Sequence, residues 1–72
     1  MKTFLIFDKI DPEIAVGLTF AKTAFGALDQ AKDVGYRSPM IQAANELEFG
    51  MKAAGMLQRG FGKINLTTGR AQ

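Results

Sequence analysis

Two runs of residues that favour β-strands occupy the first third of the chain. Residues 3–10 read TFLIFDKI, which is rich in residues that favour β-strands, and they end at Asp11 and Pro12. In residues 14–21 every second side chain is large and apolar: Ile14, Val16, Leu18 and Phe20. Such alternation is typical of a strand. Because aspartate and proline favour the first two positions of a turn, the pattern predicts an N-terminal β-hairpin.

The same residues allow a helical interpretation. Asp11 could cap a helix that has Pro12 at its first position and runs over residues 12–34. Apolar residues then recur every three or four positions, at Ile14, Leu18, Ala21, Phe25 and Leu28. Gly17 and Gly26 would each cost this helix about 1 kcal/mol relative to alanine. The hairpin is therefore preferred, and the alternative is an all-α helical hairpin.

Two helices are predicted after the hairpin. Thr23 is a suitable N-cap for a helix over residues 24–34, and Gly35 is a suitable C-terminal stop. Ser38 and Pro39 repeat the start signal, a cap followed by proline. The second helix is expected to extend to about Arg59, with its core stripe at Met40, Ala44, Leu47, Met51 and Ala54.

The last apolar residues predict a short closing strand. Phe61, Ile64 and Leu66 follow Gly60, and residues 67–69 read as a turn. The expected fold is a single α+β domain over residues 1–72, with an N-terminal β-hairpin, two helices and a short C-terminal strand.

This expected fold has more apolar side chains than it can cover. The first strand is apolar on both faces, and two helices on one side of a two-stranded ribbon leave the other face bare. On the predicted second helix, Phe49 and Met56 lie nearly opposite the core stripe. Exposing a large apolar side chain forgoes roughly 1.5–3 kcal/mol. The sequence therefore predicts a protein-interaction surface made of Leu5, Phe7, Phe49 and Met56.

The composition argues against catalysis. The chain has no cysteine and no histidine, which removes disulfides, Cys/His metal sites and the usual nucleophile–base pairs. The seven acidic residues are dispersed, and the pair Asp29 and Asp33 falls on a helix face predicted to be wet. We expect no catalytic, metal or cofactor site. A chain of 72 residues has a thin stability margin, and a partner chain is one common support.

The charge distribution favours an alternative function, nucleic-acid binding. After residue 51 the charged residues are all basic, which predicts nucleic-acid contacts at Lys52, Arg59, Lys63 and Arg70. Between Ala31 and Ala44 the spacing of small and apolar residues resembles a helix-turn-helix, and GYRSP at residues 35–39 is similar to the turn of winged-helix SOS repressors. That resemblance implies a second helix in the DNA major groove, with Arg37, Gln42 and Asn45 near DNA.

The expected location and partners follow from the same residues. Met1 and Lys2 are followed by only five uncharged residues before Asp8, and the most apolar stretch is too short to span a bilayer. We expect a cytoplasmic protein with no membrane span. The expected function is a non-catalytic interaction or assembly module that self-associates or docks as a subunit of a larger complex. The alternative is a small DNA-binding protein.

Overall fold

The computed structural model describes residues 1–72 and has five strands, two α-helices and one 3-10 turn. The strands are β1 Lys2–Phe7, β2 Ile14–Ala21, β3 Met40–Ala43, β4 Ile64–Asn65 and β5 Arg70–Ala71. The helices are α1 Ala24–Asp33 and α2 Gly50–Gln58, and the 3-10 turn covers Ala44–Glu46. The α+β class, the N-terminal hairpin and the short C-terminal strand are confirmed.

All five strands form one antiparallel sheet, in the order β3-β1-β2-β4-β5. β1 pairs along its whole length with β2, and the register shifts between Ile6 and Phe7. On its other side the last four residues of β1 pair with β3. β1 is therefore an interior strand, and β3 and β5 are the two edges of the sheet.

The two helices lie on opposite faces of the sheet. Ala27 of α1 packs with Phe4 of β1 and with two alanines of the neighbouring strands, Ala21 and Ala43. On the other face Ala53 and Ala54 of α2 pack with side chains from three strands: Leu5, Phe7, Ala15 and Ile64. We call these two sides the α1 face and the α2 face. The result is a three-layer arrangement in which alanines let each helix approach the sheet closely.

Local signals account for α1. The Thr23 hydroxyl accepts a hydrogen bond from the amide of Gly26 at 3.1 Å, as an N-cap does. At the other end Gly35 takes a left-handed φ of 107°, and the Tyr36 amide donates to the Ala31 carbonyl at 3.1 Å. The helix expected over residues 24–34 is therefore present, one residue shorter at its end.

The prediction of a second helix from Pro39 to Arg59 is wrong in its first half. Residues 40–43 form β3, a 3-10 turn follows, and the helix begins only at Gly50. β3 pairs with β1 so that Ile41 lies opposite Ile6 on the α1 face. This pairing between distant parts of the chain overrides the local start signal at Ser38 and Pro39. Ser38 itself takes a left-handed φ of 45°, so it is not a helix cap.

The premise that four apolar side chains are left over is wrong for Leu5 and Phe7. Leu5 is 0% exposed and Phe7 is 8% exposed, because β1 is interior and each of its faces is covered by one helix. Phe49 and Met56 are half-buried. Met56 packs against the core of the α2 face, and a Cβ built on Gly69 would lie 2.8 Å from Cδ1 of Phe49. All four side chains therefore contact their own chain.

Candidate interaction surface

The seven residues expected to contact nucleic acid do not share one surface. Gln42 lies in β3 at one edge of the sheet, with Arg37 before this strand and Asn45 after it. Lys52 is on α2 and Arg59 directly follows this helix, whereas Lys63 precedes β4 and Arg70 lies on β5 at the other edge of the sheet. The structure also places a strand where the helix-turn-helix resemblance requires a recognition helix. That part of the expectation is wrong.

Acidic residues of the hairpin loop lie beside the basic C-terminal segment. The Leu66 amide donates to the Glu13 carbonyl at 2.8 Å, which ties the loop to this segment. The Asp8 carboxylate lies 3.9 Å from Nζ of Lys63. Hydrogen bonds from the amides of Ile10 and Asp11, together with Lys63, hold the pKa of Asp8 below its ordinary value of 3.8. Asp8 is therefore ionised near neutral pH and offsets part of the basic charge.

Eight large apolar residues are exposed, and two of them, Met1 and Met51, line the same pocket. They are Met1, Ile10, Phe20, Phe25, Val34, Met40, Met51 and Phe61. Single exposed apolar residues are common on soluble proteins and by themselves indicate no site. Met40 differs from the others because it combines 49% exposure with a place on an edge strand of the sheet.

The outer edge of β3 is open. β3 pairs only with β1, and the backbone groups on its other side make no hydrogen bond within the chain. None of its four residues is charged. The opposite edge, β5, has only two residues, and one of them is Arg70. Since natural proteins commonly protect edges with short strands and charges, β3 is the less protected edge.

A shallow groove of about 270 Å³ lies beside β3. Its apolar lining comes from β1, β3 and the segments that flank α2, namely Phe7, Met40, Ile41, Leu47 and Leu66. Gln42 and Glu13 are polar residues at the same groove, and Glu13 is its one charged residue. An open strand edge and an apolar groove therefore adjoin.

Two opposite charges flank the open edge at equal distances along the chain. Arg37 lies three residues before Met40, and Glu46 lies three residues after Ala43. Both residues are exposed. The one ion pair in the chain joins Lys63 and Asp8, so neither Arg37 nor Glu46 has a charged partner. β3 thus carries a free cation before it and a free anion after it.

Sequence reasoning missed this surface. It treated Met40 and Gln42 as parts of a helix, although Met40 and Gln42 alternate with Ile41 and Ala43 between the two faces of a strand. The run Met-Ile-Gln-Ala has no polar–apolar alternation, so the sequence gives no periodic signal for β3.

The structure contains no group of three acidic side chains that could hold a metal ion. No helix in it is both long enough and apolar enough to cross a membrane. The chain matches no family model, no curated protein and no solved structure.

Proposed function

We propose that this protein is a non-catalytic interaction module that docks by accepting an extended polypeptide segment along β3. The observation that carries the proposal is the uncharged open edge of β3 beside an apolar groove. Strand addition is a recurring mode of recognition, in which backbone hydrogen bonds supply affinity and pockets for alternate side chains supply specificity.

The edge and the groove offer two kinds of stabilisation to such a segment. In an antiparallel pair every second residue of a strand directs its N–H and C=O groups toward one neighbour, so two residues of β3 can pair outward. Each hydrogen bond contributes about 0.5–1.5 kcal/mol net. An apolar side chain that enters the groove adds about 25 cal/mol per Å² of buried apolar area. Both contributions are needed, because association has a large entropic cost.

DNA binding has less support. Binding through phosphate contacts favours a continuous basic surface, and the candidate cations are spread over both edges of the sheet and over α2. The acidic hairpin loop also lies next to Lys63.

A titration with a synthetic peptide tests strand addition. The probe is an uncharged peptide of alternating valine and threonine, added to isotope-labelled protein and followed by NMR. We expect amide shift changes centred on Met40–Ala43 and on the groove residues Phe7 and Leu47. Gln42→Lys should abolish these changes, because a lysine on an edge strand opposes pairing. Gln58→Lys is the matched control, since it makes the same substitution at an exposed position on α2.

Shift changes that are absent, or that fall elsewhere on the protein, would overturn the proposal. So would equal binding by Gln42→Lys and Gln58→Lys. A parallel titration with a DNA duplex tests the alternative function. If the protein binds DNA, the amide resonances of residues around Arg59, Lys63 and Arg70 should shift.

A further inference from the structure

We infer that the strand accepted by β3 is β3 of a second copy of this chain. This inference rests on the proposed function and names the partner for the same edge. Two antiparallel edge strands joined by a two-fold axis perpendicular to the sheet form one continuous ten-stranded sheet. In that arrangement each protomer's α1 face is continuous with the other protomer's α1 face.

β3 has a sequence that can pair with itself. It reads Met-Ile-Gln-Ala, so no register of the pair places like charges opposite each other. With Ile41 on the two-fold axis, Met40 of one copy lies opposite Gln42 of the other. Both residues are on the α2 face, since they pair with Phe7 and Leu5 of β1. Because Gln42 lines the groove, the exposed Met40 of the second copy lies at the mouth of that groove.

The charges that flank β3 are complementary in the same arrangement. Antiparallel pairing brings the segment before β3 of one copy next to the segment after β3 of the other. Arg37 and Glu46 lie just outside the extended residues, Glu46 in the 3-10 turn, so the pairing brings them to the same end of the strand pair. The two-fold axis repeats this arrangement, so a cation and an anion lie at each end of the strand pair. These charges have no partner within the protomer, and such charges at the rim of an interface favour one orientation over others.

Sedimentation velocity over a range of protein concentrations tests the inference. We expect wild-type protein to pass from monomer to dimer as its concentration rises. Arg37→Glu and Glu46→Arg should each raise the dimer dissociation constant by about tenfold, because each turns two attractive contacts into two repulsive ones. Combining both substitutions in one chain should restore association. Arg70→Glu reverses an exposed cation on β5, at the opposite edge of the sheet, and should leave association unchanged.

A mixture of the two single variants gives the sharpest comparison. Every copy of Arg37→Glu carries two acids beside β3, and every copy of Glu46→Arg carries two cations there. The mixture should therefore form heterodimers at concentrations at which each variant alone is monomeric. The valine–threonine peptide should dissociate the wild-type dimer, because both occupy the same edge.

The outcomes distinguish this inference from the proposed function. A wild-type chain that stays monomeric while the peptide binds at β3 overturns the inference and leaves the proposed function standing. A dimer that is insensitive to Gln42→Lys, to the charge reversals and to their combination overturns the β3 pairing. A monomer that also fails to bind the peptide overturns both.

Discussion

Replacing Gly50 with alanine is expected to destabilise the protein by about 3 kcal/mol. Gly50 is the first residue of α2 and lies directly against the 3-10 turn. A Cβ at this position would lie 1.9 Å from the carbonyl oxygen of Ala44 and 2.8 Å from its carbonyl carbon. Both atoms belong to the backbone, so no side-chain rotation relieves the overlap. The turn and the start of α2 would have to separate, which would disturb the packing of Ala53 on the core.

Gly55→Ala is the matched control within the same helix. A Cβ at Gly55 meets no atom within 4 Å. Because alanine is the better helix former, this substitution should stabilise the protein by about 0.5–1 kcal/mol. Urea unfolding followed by circular dichroism measures both free energies. Equal effects of the two substitutions would contradict the close approach of α2 to the turn at Ala44.

Leu5→Ala should lower the free energy of unfolding by about 2–5 kcal/mol. Leu5 is fully buried on the α2 face, in a cluster with Ala53 and Ile64. Truncation removes apolar contacts and leaves a cavity in an interior strand of the sheet. The loss should be independent of protein concentration and should appear in the urea midpoint of monomeric protein.

Phe25→Ala is the control for an exposed apolar residue. Phe25 is 82% exposed on α1, so its truncation should change the unfolding free energy by less than about 0.5 kcal/mol. If Leu5→Ala instead left stability unchanged and weakened self-association, Leu5 would belong to an interface, as the sequence alone suggested. That result would contradict the burial of β1 between two helices.

Local patterns were sufficient to predict the hairpin and the first helix. The alternation from Ile14 to Phe20 and the turn residues Asp11 and Pro12 define the hairpin, and Thr23 and Gly35 define the ends of α1. These signals act between residues that are close in sequence. They fix the type of each element but not every face: a register shift in the hairpin puts Ala15, and not Ile14, on the α2 face with Leu18.

The missed elements depend on contacts between distant residues. Residues 40–43 form a strand because Ile6 and Phe4 offer a pairing edge at Ile41 and Ala43, which local propensity cannot show. The sequence correctly showed that β1 is apolar on both faces. It placed both helices on one side, whereas the chain places one helix on each side and so buries Leu5.

The candidate site was hidden from the sequence for a related reason. Whether a strand has an open edge depends on the order of strands in the sheet, and that order is set by the pairing of β1 with both β2 and β3. Arg37 and Glu46 are visible in the sequence. That each lies three residues from one end of Met40–Ala43 has meaning only once this segment is known to be a strand.

Hydrogen exchange at the backbone amides of Met40–Ala43 tests the open edge most directly. We predict that the outward amides of β3 exchange rapidly in dilute protein and become protected as the concentration rises, while those bonded to β1 stay protected throughout. Outward amides that exchange at the same rate at every concentration, with or without the peptide, would contradict the docking of any strand at this edge.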